Sequence, residues 1–165
     1  MSFVSGLQSW RVLSNISIVS GLSTGMSRKV QFNLSHHINT PFLRDLKPDN
    51  ILLDAMGHAH ITDFNVAIHY SEKRLHTSIA GSMAYMAPQI VGKKGYSWQV
   101  DWWSLGITVY ELLFHKRPFD GRNAEKMTRS ILNDPLTFPE DASLRCSESA
   151  ITALRGVSSF IPHSR

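Results

Sequence analysis

The chain has 165 residues, 42% of them apolar and 18% charged, a balance that suits a globular domain with a real core. Its formal charge of +4 is mild and scattered, which argues against a nucleic-acid partner, and no run of about 18 apolar residues is present to span a membrane. A single cysteine, Cys146, excludes an internal disulfide and suits a reducing, cytoplasmic compartment.

Residues 1–42 contain no Asp or Glu, and Ser recurs through them. This composition fits a transit peptide, a disordered segment, or sequence foreign to the domain that follows. Val12–Val19 can form one short apolar element. Pro41 argues against a helix that runs on smoothly into the next segment.

From Arg44 the punctuation becomes regular. Ile51-Leu52-Leu53, a turn signal at Asp54-Ala55-Met56-Gly57, and His58-Ala59-His60-Ile61 predict a small β-hairpin. His58 and His60 fall on one strand face, but no third ligand accompanies them, so strand surface is the expected role. Ser71–Ser82 has no clear period and predicts a loop. Gln99–Phe114 is apolar almost all round, which predicts a buried helix stopped by Pro118. Ala124–Leu132 predicts a shorter helix with Asn123 as its N-cap. A last helix begins near Ser149–Leu154, and Gly156-Val157-Ser158-Ser159 is expected to break it.

The chemistry lies around the hairpin. Arg44-Asp45-Leu46-Lys47-Pro48-Asp49-Asn50 precedes its first strand, and Asp63-Phe64-Asn65 follows its second. A hairpin returns the chain, so Asp45, Asn50 and Asp63 should converge at one end. Oxygen ligands beside a lysine suit a magnesium-bound phosphate and phosphoryl transfer. Taken alone, these residues also read as turn and capping positions.

The segment resembles the catalytic loop of eukaryotic protein kinases, His-Arg-Asp-Leu-Lys-Pro-x-Asn. Asp63-Phe64-Asn65 is similar to Asp-Phe-Gly, Ala87-Pro88-Gln89 to Ala-Pro-Glu, and Val100-Asp101-Trp102-Trp103-Ser104-Leu105-Gly106 to the start of the long helix of the large lobe. The steps are 13 residues from Asn50 to Asp63, 24 on to Ala87 and 14 on to Asp101. Asp-Phe-Asn together with Asp-Trp-Trp-Ser-Leu-Gly most resembles the AGC-related kinases nicknamed "yet another novel kinase", in a fungal-like form.

The resemblance implies a mainly α fold: the C-terminal lobe of the α+β kinase fold, with a small β-hairpin, over residues 43–155. Residues 1–42 and 156–165 lie outside it. It also implies ATP and Mg²⁺ as cofactors and protein serine or threonine as substrate. By the same resemblance Asp45 orients the substrate hydroxyl, Lys47 neutralises the γ-phosphoryl group, Asn50 and Asp63 hold Mg²⁺, and Leu52 lies under adenine. Arg44 receives a phosphate on Ser78 or its rival Thr77, both of which can also be plain loop residues. Ser82 bridges Asp45 and Lys47, Phe64 joins a hydrophobic stack with Leu43, and Asp101 fixes the catalytic loop from beneath.

The pattern has departures. Leu43 stands for His or Tyr, Asn65 for a glycine whose left-handed backbone Asn tolerates, and Gln89 for a glutamate whose arginine partner is also missing. No Gly-x-Gly-x-x-Gly loop and no Val-Ala-x-Lys precede the loop. The 165 residues are therefore expected to turn over weakly or not at all. The alternative is a non-catalytic kinase fragment acting as a protein-interaction module, or a gene-model fragment. A partner protein over the lobe's uncovered surface is the companion expectation.

Overall fold

A computed structural model describes residues 41–55, 59–69 and 75–159. The expectations for 1–40, for the hairpin tip at 56–58, for 70–74 and for the end of the chain from 160 lie outside the described residues.

Two short antiparallel sheets sit beside a helical body. Strand β1 (Pro41–Phe42) pairs with β4 (Ile68–His69), Phe42 opposite Ile68. Strand β2 (Ile51–Leu53) pairs with β3 (Ala59–Ile61), Ile51 opposite Ile61, which is the predicted hairpin. The chain thus enters the Arg44–Asn50 loop from a strand. A 3₁₀ turn, Pro48–Asn50, closes that loop, its proline placed where no N–H is needed.

Five helices follow: α1 (Pro88–Val91), α2 (Gln99–Phe114), α3 (Ala124–Asn133), α4 (Ala142–Arg145) and α5 (Glu148–Ser159). Helix α2 is the central post. One flank packs Val100, Trp103 and Ile107 against Phe42, Ile90, Tyr96 and Phe119. The other packs Leu105, Val109 and Tyr110 against Leu43, Leu46, Ile151 and Leu154. Its buried hydroxyls are satisfied: Ser104 Oγ donates to the Tyr85 carbonyl oxygen at 2.8 Å, and Thr108 Oγ1 to Ser104 O at 2.8 Å.

Helix α2 has the predicted bounds but a different stop, and helix α5 runs past its expected break. Helix α2 stops at His115, which takes a left-handed backbone (φ 55°) while its N–H reaches Glu111 O, so the helix has ended before Pro118. Helix α5 runs on through Gly156 to Ser159. Ala153, Leu154 and Val157 are buried on it, and Val157 fits against Gly106 of α2, where a Cβ would come within 2.6 Å of Val157 Cγ1. Tertiary packing overrides the weak helix propensity of that glycine and of Val157. Asn123 caps α3 as predicted, its Oδ1 accepting from Lys126 N at 2.9 Å.

Candidate active site

The loop between β1 and β2 is held from below by one buried carboxylate. Asp101, in the first turn of α2, accepts from Leu43 N at 2.6 Å and from Arg44 N at 2.8 Å. Arg44 has a left-handed backbone (φ 67°), a strain of about 1–2 kcal/mol for a residue with a Cβ. The two bonds to Asp101 hold it there. Burial drives the Asp101 carboxyl up to about 6, against the pull of the Leu43 and Arg44 amides and the Arg44 charge.

Above this anchor four side chains converge. Asp45 Oδ2 lies 2.9 Å from Lys47 Nζ and accepts from Asn50 Nδ2 at 3.2 Å, while its Oδ1 accepts from Ser82 N at 2.6 Å. Lys47 Nζ also donates to Ser82 Oγ at 2.8 Å, and Asn50 Nδ2 to Asp45 O at 2.9 Å. Burial alone would raise the Asp45 carboxyl, but its bonds to Lys47 and Ser82 outweigh burial and hold it below the usual range. Lys47 is raised, chiefly by its hydrogen bond to Asp45. The pair is ionised at neutral pH. Asp45 therefore sits among donors from Lys47, Asn50 and Ser82, its carboxylate held in one orientation beside the Lys47 ammonium.

The hairpin brings Asp63 to the same end. Thr62 N donates to Asn50 O at 2.9 Å, so Asp63 follows directly beyond Asn50 in the register. Asp63 is exposed, and the left-handed backbone in this segment belongs to it (φ 59°), not to Asn65, whose N–H donates to Asp63 Oδ1 at 3.3 Å. The expectation that Asn65 carries the left-handed turn is thereby corrected: the turn is displaced to a residue whose short carboxylate bonds its own backbone. With Asn50 Nδ2 turned to Asp45, Asn50 Oδ1 faces no donor among the described residues, and Asp63 keeps a carboxylate oxygen open. One amide oxygen and one carboxylate fit a small hard cation that takes its other ligands from phosphate and water, as Mg²⁺ does. No group of three or more His, Cys, Asp or Glu able to hold a metal occurs among the described residues, and His60 is instead 3.2 Å from Asp54.

The apolar members divide. Leu52 is 56% exposed and Phe64 49%, whereas Leu43 is buried among Leu46, Leu105 and Val109. Gln89 keeps a buried Oε1 with no partner among the described residues. A buried amide oxygen left unpaired costs about 1–3 kcal/mol.

The Ser71–Ser82 stretch contains no helix or strand among its described residues, and its second half lies over the loop. Arg44 Nη1 donates to Ser78 Oγ at 2.9 Å, and Arg44 Nε to Val66 O at 2.7 Å. Thr77 is exposed, with no hydrogen bond to its side chain among the described residues. Three residues of this region were not singled out by sequence reasoning. Tyr96 OH accepts from Arg44 Nη1 at 3.3 Å and donates to Ser78 O at 2.5 Å. Tyr85 OH donates to Glu111 Oε2 at 2.6 Å, and burial pushes that phenol above its usual range. Gly81 has φ 100°, and a Cβ on it would lie 2.1 Å from Arg44 O. Only the glycine carries a sequence signal, as a residue free of Cβ inside a loop.

That contact makes a test. Gly81→Ala should destabilise the chain by roughly 2 kcal/mol or more, because both backbone conformation and space forbid the methyl group. A urea midpoint unchanged from wild type would mean that the segment does not lie this close to Arg44.

With this geometry in view, comparison with known proteins is specific. The family model for the protein kinase domain matches residues 26–165. The chain belongs to the protein kinase domain family. Relatives include mouse Serine/threonine-protein kinase 32C, 48% identical over 100 residues, covering 58% of this chain and 20% of the relative. Schizosaccharomyces pombe Serine/threonine-protein kinase gad8 is 37% identical over 131 residues, covering 79% and 22%. Human Serine/threonine-protein kinase Sgk1 is 44% identical over 102 residues, covering 61% and 23%. The chain therefore spans about a fifth of the length of the relatives it matches. No helix among the described residues is long and apolar enough to cross a membrane.

Proposed function

We propose that this chain carries the phosphoryl-transfer half of a serine/threonine protein kinase: the large lobe, over residues 43–155, of an AGC-related enzyme nearest the "yet another novel kinase" group. The observation that carries the reading is the ionised Asp45–Lys47 pair, locked by Asn50 and Ser82.

Asp45 orients a serine or threonine hydroxyl and accepts its proton as the bond to phosphorus forms. Lys47 lies next to that position and stabilises negative charge on the moving phosphoryl group. Asn50 Oδ1 and the Asp63 carboxylate hold Mg²⁺, which when bound neutralises the phosphates of ATP and orients them. Leu52 offers an apolar floor to the adenine ring. Because Leu52, Leu53 and Phe64 are all largely exposed, that floor is open above, and nucleotide affinity and turnover of the 165 residues alone are low. The same exposed surface suits cover by a partner protein.

The assay is transfer from γ-labelled MgATP to a basic protein substrate, followed by phosphoamino-acid analysis. Slow labelling of serine and threonine, dependent on Mg²⁺, is the expected result. Labelling confined to tyrosine, or none with millimolar nucleotide and long incubation, contradicts it.

A further inference from the structure

Arg44 and Ser78 do not meet alone. Tyr96 is 3% exposed, and its ring packs edge-on against Phe42 at 6.2 Å between centroids. Its backbone pairs with His76 through two hydrogen bonds of 3.0 Å, which fixes the segment two residues before Ser78. Its hydroxyl donates to the Ser78 carbonyl oxygen, accepts from Arg44 Nη1 and lies 3.5 Å from Ser78 Oγ. A phenol has one hydrogen and two acceptor positions. The hydrogen now goes to a neutral carbonyl, although Ser78 Oγ lies within the rotation of the same O–H bond.

We propose that Tyr96 is a second phosphate-binding group at Ser78, a positioning residue that turns its O–H from the Ser78 carbonyl to a phosphate oxygen once Ser78 is modified. The inference rests on the reading of Ser78 as a phosphorylation site. In the modification, an activating kinase moves the γ-phosphoryl group of ATP to Ser78 Oγ, ADP leaves, and the hydroxyl proton passes to solvent. The product is a dianion at Ser78, which is exposed while Tyr96 is buried. Arg44 supplies charge from one side. The Tyr96 hydroxyl supplies a fixed donor from the protein side, and a charge-assisted bond is stronger than the carbonyl bond it replaces. Because Tyr96 is also tied to His76 and lies just before α2, the phosphate would join the loop, the 75–82 segment and the α2 start through one buried ring. Tyr96 thereby makes the response to phosphate depend on a residue outside both segments.

The test uses the 165-residue chain with phosphoserine incorporated at position 78, and needs neither nucleotide binding nor catalysis. Removal of the phosphate by alkaline phosphatase is timed in wild type and in Tyr96→Phe. Loss should be roughly fivefold faster in the variant, as expected for one lost hydrogen bond. The unmodified Tyr96→Phe chain, which keeps the ring, serves as the control for folding by its urea midpoint. Equal phosphatase rates in two folded chains would overturn the role of Tyr96. Should Tyr96→Phe fail to fold, the ³¹P resonance of the wild-type phosphoserine decides: a shift at pH 7 equal to that of a short phosphoserine peptide overturns the proposal, and a displaced one supports it. Absence of kinase activity with a protected phosphate would sink the catalytic reading and leave this one standing.

Discussion

Asp45→Asn is expected to slow phosphoryl transfer by about 10²–10⁴-fold with little change in the KM for nucleotide. The carboxylate does two things that an amide cannot. It accepts from Lys47 and Asn50 on Oδ2 and from Ser82 on Oδ1. Asn can keep the Ser82 bond, but its Nδ2 then points at the Lys47 ammonium and the Asn50 amide, donor against donors. Lys47 is released from its pair at the same time, so the charge that should face the moving phosphoryl group is misplaced. Initial rates over a range of MgATP concentrations check this. A variant within threefold of wild type would mean that Asp45 is only a structural member of the cluster.

The second large effect concerns Asp101. Alanine there orphans the buried Leu43 N–H, worth about 1–3 kcal/mol, and the half-buried Arg44 N–H, and releases the strained Arg44 backbone. Burial of the charge works the other way. A carboxyl moved from its ordinary 3.8 to about 6 costs the folded state about 3 kcal/mol once ionised in both states. Since the folded value is the higher one, the favourable contribution is complete below pH 3.8 and is lost as pH rises through about 6. Asp101→Ala should therefore be more destabilising at pH 4.5 than at pH 7.5, by about 2 kcal/mol. Urea midpoints at the two pH values measure it. A larger loss at pH 7.5 would show that the two amide bonds outweigh burial and that the carboxylate is the favoured form.

The parts of the fold that could be read from the sequence are those with local causes. The Gln99–Phe114 helix is legible because sixteen residues are apolar on nearly every side, and the Asn123 cap because its side chain bonds three residues away. The hairpin follows from two short apolar runs around a turn. What escaped has distant causes. Gly156 lies within a helix because Val157 packs on Gly106 of another helix, fifty-one residues back. The left-handed residue near Asn65 is Asp63, a choice between two residues of similar turn propensity that the surrounding backbone decides. The ties from Asp101 to Leu43 and Arg44 span 58 and 57 residues, and no periodicity announces them; only the resemblance to a family pointed there. Tyr96 gave no sign at all, since a tyrosine before an apolar helix reads as core.

The measurement nearest the central claim is a thermal-shift titration of the chain with MgATP, with Asp63→Ala alongside. The account predicts a magnesium-dependent stabilisation that grows with the logarithm of nucleotide concentration above the Kd and disappears in Asp63→Ala. No shift at millimolar MgATP, or an equal shift in the variant or without magnesium, would contradict a site in which Asn50 and Asp63 hold a metal-bound phosphate beside Asp45 and Lys47.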